Sequence, residues 1–215
     1  MAEGAAPPPP PVAATVFGDA LPAAERYAAL LASEGVTRGL IGPRELPRLW
    51  ERHILNSAAI AEAVPEGARV VDVGSGAGLP GIPLALARPD VVLTLVEPMA
   101  RRVEFLDEAV AALSAPWRVV RGRAEERAVV AEVGPVDVVT ARAVAPLPRL
   151  VTWCRGLLRP GTRLVALVGA RTLGELPDLV PQLEREGMRH VEARAVGAAL
   201  GEAATTVVVM TRGAR

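Results

Sequence analysis

The chain has 215 residues, of which 51% are apolar, so it can bury one large core and is expected to form a single globular domain. Its 24 acidic and 24 basic residues balance, so the protein has no net charge that would attract nucleic acid or membranes. Any binding site for a polyanion must therefore be a local one. One cysteine and two histidines exclude an intrachain disulfide and are too few for a structural zinc site, so no metal is predicted.

Residues 1–18 are predicted to form a disordered, proline-rich tail. The five consecutive prolines at 7–11 cannot pair backbone amides and bury little surface. The same segment lacks the basic start and apolar middle of a secretion signal, and no run approaches the ~18 apolar residues of a membrane span. We therefore predict a cytoplasmic protein without a membrane partner.

A helical extension is predicted over residues 19–66, ahead of the first strand. Apolar residues at helical spacing indicate a first helix over 21–31, with Gly35 as its C-terminal cap. A second helix is predicted over residues 44–64, between two prolines.

From residue 69 onward, short apolar strands alternate with helical segments. The predicted strands span residues 69–73, 91–97, 118–120, 136–140, 163–168, 190–196 and 205–210. The predicted helices span residues 82–88, 100–113, 124–133, 147–158 and 176–186. This alternation favours an α/β fold with a mostly parallel, doubly wound sheet. The last two strands are joined by a loop too short for a helical crossover, so they form an antiparallel hairpin.

A glycine-rich loop follows the first predicted strand and indicates a backbone cradle for a ligand. Gly76, Gly78 and Gly81 match the dinucleotide pattern G-x-G-x-x-G, whereas the strand end reads D-x-G-x-G-x-G from Asp72. A carboxylate repels a pyrophosphate but tolerates S-adenosyl-L-methionine, which carries an ammonium and a sulfonium. Asp72 therefore favours the methyl donor.

A second carboxylate, Glu97, closes the second predicted strand. It can accept hydrogen bonds from ribose hydroxyls in either ligand class, so it supports a nucleoside without choosing between the two. We predict that Asp72, Ser75, Gly76 and Glu97 contact the cofactor.

Five segments carry a family resemblance: RHILNS at 52–57, DVGSGAGLPGIPLA at 72–85, RRVEFL at 101–106, GRAEE at 122–126 and ARAVAPL at 141–147. In these segments the chain resembles the bacterial 16S rRNA guanine-N7 methyltransferases, also called glucose-inhibited division protein B. The resemblance implies a Rossmann-like class I methyltransferase domain over residues 19–215. It also implies S-adenosyl-L-methionine as cofactor and, as substrate, 16S rRNA in the small ribosomal subunit or its assembly intermediate. We expect a monomer.

The resemblance implies six site residues: Gly74, Leu79, Arg123, Ala124, Glu125 and Arg142. The first two match loop residues that hold the methyl donor, and the adjacent alanine and glutamate match a pair against its adenine. Arg142 and Arg123 are predicted to act in catalysis. Arg142 orients the target base or the carboxylate of the donor, unless it forms an ion pair with an acid such as Asp137.

Guanine N7 is an unprotonated lone pair, so the expected reaction needs positioning rather than a general base. His53 and Asn56 lie one helical turn apart and face either the cofactor site or the protein interior. The chain has Val168 where the family usually has a lysine, and Arg171 is the nearest substitute. RNA contact is expected from an arginine set: Arg101, Arg102, Arg118, Arg121, Arg123 and Arg127.

Three other readings of the sequence stay open. A methyltransferase of small molecules or proteins suits the neutral charge and Val168. A non-catalytic module would bind the cofactor or RNA without transfer. A nicotinamide-dependent oxidoreductase would use the G-x-G-x-x-G match and is disfavoured by Asp72.

Overall fold

Seven strands form one sheet in the order β3-β2-β1-β4-β5-β7-β6, in a computed structural model that describes residues 5–142 and 144–214. The strands are β1 (Arg69–Val73), β2 (Val92–Glu97), β3 (Arg118–Arg121), β4 (Val138–Arg142), β5 (Arg163–Leu167), β6 (Met188–Val196) and β7 (Thr205–Arg212). The first five are parallel, and β7 runs antiparallel to both β5 and β6. The predicted α/β sheet with an antiparallel C-terminal hairpin is confirmed.

Eight α-helical segments surround the sheet: α1 (Pro11–Phe17), α2 (Leu21–Leu30), α3 (Asn56–Ala58), α4 (Gly81–Ala87), α5 (Ala100–Ala112), α6 (Arg127–Val133), α7 (Leu147–Cys154) and α8 (Ala170–Arg185). Side chains alternate across the sheet because successive strand residues point to opposite faces. Val70 belongs to the core beneath the extension, α4 and α5, whereas Val71 belongs to the core beneath α6, α7 and α8. The two faces are therefore both covered, as a parallel sheet requires.

The extension is more irregular than predicted. After α2 the chain makes a wide π-helical turn, Leu31–Gly35, and reverses at Gly39, whose φ of +66° suits glycine. Gly35 is therefore not the C-terminal cap; it lies inside the helical segment, and its carbonyl accepts the N–H groups of Leu40 and Ile41.

The second predicted helix is a helical run over residues 43–63. It joins a 3₁₀ segment (Pro43–Arg48), a π-helical stretch (Leu49–Leu55), α3 and a second 3₁₀ segment (Ala59–Ala63). The run packs its buried side chains, including Trp50 and Ile54, against the core.

The prediction of a disordered tail is wrong for Pro11–Phe17, which form α1; residues 1–4 lie outside the described residues. Ala13 and Phe17 are buried, and the Phe17 ring meets Trp50 edge to face with centroids 6.4 Å apart. The indole Nε1 of Trp50 donates to the carbonyl of Pro7 at 2.9 Å. Apolar contacts and this hydrogen bond fix a segment whose composition alone indicates disorder.

Helix α8 begins at Ala170 rather than at residue 176. Gly174, Pro177 and Pro181 weaken a helix locally, but they lie within α8. Burial of Leu176 and Leu183 against the sheet keeps the helix continuous. Among the described residues, no helix is both long and apolar enough to cross a bilayer.

Candidate active site

A cavity of about 510 Å³ opens at the carboxyl ends of β1, β2, β3 and β4. The chain passes from one side of β1 to the other between β3 and β4, and such a reversal of strand order is where α/β sheets bind ligands. Nine of the ten predicted site residues line the cavity: Gly74, Ser75, Gly76, Leu79, Glu97, Arg123, Ala124, Glu125 and Arg142. The structure therefore brings together segments that are far apart in sequence.

Most amides of the glycine-rich loop are hydrogen-bonded within the protein. Five of its amides donate to protein acceptors: those of Gly74, Ser75, Gly76, Gly78 and Leu79. The carbonyls of Gly74 and Gly76 accept no hydrogen bond within the described part of the chain. A pyrophosphate site needs free amide donors, whereas a cationic ligand needs free acceptors. The loop suits a cation.

Two glycines are needed for close approach rather than for a turn alone. Gly74 has a φ of +68°, and a Cβ there would lie 3.0 Å from both methyl groups of Val144. At Gly81, a Cβ would lie 2.8 Å from Leu95 and 2.9 Å from the Cβ of Asp72. The first glycine shapes the cavity wall, and the second lets α4 pack on the sheet.

Glu97 is 1% exposed, and its carboxylate is held at the cavity wall by backbone amides. Oε2 accepts from Gly76 and Oε1 from Met99, both at 3.0 Å. A carboxylate has about four acceptor positions, so capacity remains for two ribose hydroxyls.

Asp72 is the predicted site residue that the cavity wall does not include. Its carboxylate is fully buried under the loop, where Oδ1 accepts from Thr140 at 2.9 Å and Oδ2 from the amide of Gly81 at 3.3 Å. Burial raises its pKa to about 6. The prediction of a direct ligand contact is therefore corrected: Asp72 supports the loop and the start of α4 from beneath.

A second support for the loop comes from the extension. The hydroxyl of Tyr27, on α2, donates to the carbonyl of Ala77 at 2.7 Å. Tyr27 is fully buried, and burial raises its phenol pKa well above the usual value. The phenol therefore stays a neutral donor and joins α2 to the cavity wall.

Arg142 ends β4, and the helical run holds its guanidinium. Nη1 donates to Ser57 Oγ at 3.1 Å, and Nη2 donates to the carbonyl of Arg52 at 3.1 Å and to Nδ1 of His53 at 3.0 Å. The alternative of an ion pair with Asp137 is wrong, because that carboxylate pairs with Arg69 at 3.0 Å. Burial lowers the pKa of Arg142, which still leaves an arginine charged.

His53 lines the cavity, so the structure brings it to the site rather than to the interior alone. Its Nε2 lies 3.0 Å from Oε2 of Glu45, a residue that sequence reasoning missed. Burial, followed by the charge of Arg142, lowers the pKa of His53. Asn56 instead turns to the carbonyl of Ala203 at 3.4 Å and does not line the cavity.

Arg102 is a further wall residue with an unused donor. Its Nη1 lies 3.8 Å from Glu97 Oε2, and its Nε is buried without a partner in the described part of the chain. A buried N–H without an acceptor destabilises the protein unless a ligand or a water molecule accepts its hydrogen bond. Val168 and Arg171 lie outside the wall, and Arg171 pairs with Glu175 at 2.9 Å, so it does not substitute there for a lysine.

The far wall contains Trp153 on α7, which sequence reasoning also missed. The guanidinium of Arg149 lies 4.8 Å from its ring centroid, a cation–π distance. A signal was available, since Arg149 and Trp153 are four residues apart and therefore share one face of a predicted helix.

The cavity wall fits S-adenosylmethionine by the chemistry of its groups. The free carbonyls of Gly74 and Gly76 suit positive charge, Glu97 suits a ribose, and Arg142 retains donors for a carboxylate. The orphaned Nε of Arg102 supports a polar ligand beside Glu97. Among the described residues, no group of three or more His, Cys, Asp or Glu side chains could hold a metal ion.

Comparisons by sequence agree on one family. The GidB family, described as rRNA small subunit methyltransferase G, matches residues 20–202. Ribosomal RNA small subunit methyltransferase G of Mycobacterium sp. (strain KMS) is 57% identical over 200 residues, covering 93% of this chain and 89% of that protein. The protein of the same name from Salinispora arenicola (strain CNS-205) is 56% identical over 211 residues, covering 96% and 87%.

Solved structures share the fold at low sequence identity. Aeropyrum pernix fibrillarin in complex with natively bound S-adenosyl-L-methionine has a TM-score of 0.52 at 18% identity, covering 73% of this chain and 76% of that chain. Ribosomal protein L11 methylase from Lactobacillus delbrueckii subsp. bulgaricus has a TM-score of 0.54 at 16% identity, covering 74% and 77%. These likenesses confirm a Rossmann-like methyltransferase fold.

Proposed function

Because this chain belongs to the GidB family, rRNA small subunit methyltransferase G, we propose that it transfers a methyl group from S-adenosylmethionine to N7 of a specific guanine in 16S rRNA. The observation that carries the proposal is the glycine-rich loop. Five of its amides donate within the protein, and the carbonyls of Gly74 and Gly76, two residues that line the cavity, accept no hydrogen bond in the described part of the chain. That arrangement supports a cationic methyl donor and disfavours a nicotinamide dinucleotide.

The order of the strands supports one orientation of the cofactor across the sheet. Ala124 and Glu125 follow β3, Glu97 ends β2, the loop follows β1 and Arg142 ends β4. Neighbouring strands are ~4.8 Å apart, so these groups form a line in that order. The adenine then lies at Ala124 and Glu125, the ribose at Glu97, and the methionine portion between the loop and Arg142.

The carboxylate is the only anionic group of S-adenosylmethionine, and Arg142 is the cation at that end of the line. We therefore assign Arg142 to the carboxylate rather than to the target base. Replacing Arg142 by Ala is expected to weaken S-adenosylmethionine binding at least about tenfold, which calorimetry of the free enzyme measures. Unchanged affinity with lost turnover would move Arg142 to the base, and unchanged affinity and turnover together would remove it from the site.

The proposed methyl transfer depends on how the protein positions the methyl donor and the target guanine. When bound, S-adenosylmethionine supplies an electrophilic methyl group, and guanine N7 offers a lone pair that needs no deprotonation. The protein's contribution is to hold the two in line and to exclude water. The cavity wall also contains three apolar residues that limit the access of water: Leu40, Ile41 and Val144.

The proposed RNA surface is the rim of the cavity. It includes four of the six arginines that the sequence predicted to contact RNA. Four exposed arginines lie at or just after the carboxyl ends of β2 and β3: Arg101, Arg121, Arg123 and Arg127. None of them has an acidic partner within the described residues. Arg118 lies at the opposite end of β3 and donates to the carbonyl of Glu132 at 3.2 Å, so we exclude it. Arg102 belongs to the cofactor wall.

The expected setting is a cytoplasmic monomer acting on the small ribosomal subunit or its assembly intermediate. The deciding experiment transfers labelled methyl from S-adenosylmethionine to small subunits that lack the modification and maps the product base by mass. One guanine labelled at N7 in 16S rRNA is expected. Binding of S-adenosylmethionine without transfer would retain the cofactor and overturn the substrate.

A further inference from the structure

Three of the five N–H groups of Arg142 are committed to the helical run, at Ser57, His53 and the carbonyl of Arg52. The Nε–H and one N–H of Nη1 have no partner within the described residues. The direction of those two donors is therefore set by the three bonds that the helical run accepts. Two of the acceptors, a carbonyl and a hydroxyl, accept in every protonation state; the imidazole of His53 does not.

The hydrogen bond between Arg142 and His53 fixes the form of the imidazole. A guanidinium only donates, so Nδ1 of His53 must carry the lone pair. The proton of the neutral ring then lies on Nε2, which points at the Glu45 carboxylate 3.0 Å away. The side chain of His53 is 13% exposed and that of Glu45 33%, so the contact is shielded on the histidine side.

We infer that Glu45 and His53 are positioning residues for the proposed reaction: the carboxylate holds the imidazole as the Nε2–H tautomer, so that Nδ1 orients Arg142 toward the cofactor carboxylate. The inference rests on the proposed function only for the identity of that ligand. If Nε2 loses its acceptor, the proton of the ring can move to Nδ1. Nδ1–H would then face the N–H groups of Arg142, and no hydrogen bond could form between them. Arg142 would then lose one of its three restraints.

Charged and titratable groups from four elements surround this pair. Arg48 and Arg52 lie on the helical run itself, and Arg142 comes from β4. Tyr27 on α2 and Asp72 on β1 interact electrostatically with each other, and Tyr27 with Arg142. Of these groups, Asp72 has a pKa that burial raises to about 6, so a pH profile of cofactor binding must be compared between variants.

The first test is the nitrogen-15 spectrum of the histidine side chains in the free enzyme near neutral pH. The chain has two histidines, His53 and His190, so the signal is assigned with His190→Asn as matched control. Asparagine tolerates the φ of +53° at that exposed position. We expect a neutral Nε2–H tautomer at His53 in the wild type and a mixture of tautomers in Glu45→Leu, because leucine leaves Nε2 without an acceptor whereas a glutamine would still offer its amide oxygen. An Nδ1–H tautomer or a cation in the wild type overturns the inference, whatever the enzyme methylates.

The second test compares two amides at one position. The side-chain oxygen of His53→Asn replaces Nδ1 and can accept from Arg142, whereas His53→Gln reaches toward Glu45 and leaves Arg142 without that acceptor. We expect S-adenosylmethionine to bind about tenfold more weakly to His53→Gln and within about threefold of wild type to His53→Asn. Equal loss in both variants overturns the positioning role.

The pH profile of cofactor binding completes the test. In the wild type, affinity is expected to fall on the acid side, because protonated Nδ1 can no longer accept from Arg142. The His53→Asn variant should lose that part of the fall and keep the part due to Asp72. Identical profiles in the two proteins overturn the inference. Binding is measured without RNA, so a failure of the rRNA assay leaves this result readable.

Discussion

Asp72 and Glu97 are two buried carboxylates at adjacent strands, yet they serve different surfaces. Glu97 is the last residue of β2, and both of its oxygens are held by amides at the cavity wall. Asp72 precedes the last residue of β1 and shares the sheet face of Val70, beneath α4. Their positions along the strand decide which one meets a ligand.

The raised pKa of Asp72 predicts a specific pH dependence of stability. Its value of about 6 lies above the ordinary 3.8, so the folded protein binds the proton more tightly than the unfolded chain. The stabilisation is complete below about pH 4 and is lost as the pH rises through about 6. The group then lowers the free energy of unfolding by about 2 kcal/mol at pH 7 relative to pH 4.

Urea unfolding of the wild type and of Asp72→Asn across that range measures the effect. The difference between the two proteins should shift in favour of the variant by about 2 kcal/mol as the pH rises from 4 to 7. His53 has a lowered pKa and acts with the opposite sign in part of this window, but it is common to both proteins. A pH-independent difference would show that Asp72 is ionised without penalty.

Gly74 gives a second prediction at this scale. Gly74→Ala places a Cβ in a left-handed conformation and 3.0 Å from Val144, so we expect a loss of stability of about 1–2 kcal/mol. S-adenosylmethionine affinity should fall as well, because the altered wall faces the cavity. Both quantities are measured by urea unfolding and calorimetry.

The matched control adds Val144→Ala to the same chain. Removing the two methyl groups relieves the collision but not the backbone strain, so partial recovery is expected. Full recovery of stability would show that Gly74→Ala acts only through the contact with Val144. No recovery would show that it acts only through the strained φ angle.

Sequence reasoning located the loop and Glu97 because strand ends and glycine spacing are local signals. It misassigned Asp72, because the two-residue period places that side chain with Val70 but does not show that the start of α4 covers this end of the strand. Glu45 had no local signal, because its partner His53 lies eight residues away along a run of irregular pitch.

At the scale of elements, the extension supports the site from behind. The helical run supplies the three acceptors of Arg142, and α2 supplies the hydrogen bond to Ala77. The run was predictable as a helix from its apolar spacing. Its changes of pitch were not, since they follow from packing against α4 and the sheet rather than from the composition of the segment.

The N-terminal segment is expected to stabilise this extension. Deleting residues 1–10 removes the Pro7 carbonyl and exposes Trp50, so we expect the free energy of unfolding to fall by about 1–3 kcal/mol. Urea unfolding measures the loss. An unchanged midpoint would mean that the segment only rests on the surface.

A double-mutant cycle separates the hydrogen bond from the other interactions of the segment. Trp50→Phe keeps an aromatic ring against Phe17 but loses the Nε1 donor. Combined with the deletion, it should add less than it does in the intact chain. Additive losses would show that the indole and the segment act independently.

At the scale of the whole molecule, net neutrality conceals a local group of arginines that have no acidic partner in the described part of the chain. Arg69, Arg88 and Arg118, near the amino ends of β1, β2 and β3, have acidic partners. Arg121 at the end of β3, and Arg101 and Arg127 shortly after β2 and β3, have none in the described part of the chain. Composition gave no hint of this, because pairing is decided by the fold.

The proposed RNA surface predicts how salt acts on binding. Replacing Arg121 or Arg127 by Gln should reduce the slope of log affinity against log salt by about one for each phosphate that the variant no longer binds. Arg118→Gln is the matched control on the same strand as Arg121 and should leave the slope unchanged. Filter binding to small subunits over a salt series measures it, and equal slopes for all three variants would place the RNA elsewhere.

The bond from Tyr27 to the loop connects α2 to the wall of the cavity proposed to hold the methyl donor. A ligand that restrains the loop also restrains α2, and at a hundredfold excess over its Kd it stabilises the folded form by about 2.7 kcal/mol. Proteases act on opened chains, so fewer targets are available to them when the methyl donor is plentiful. We expect cells starved of methionine to lose this protein by turnover as well as by lack of substrate.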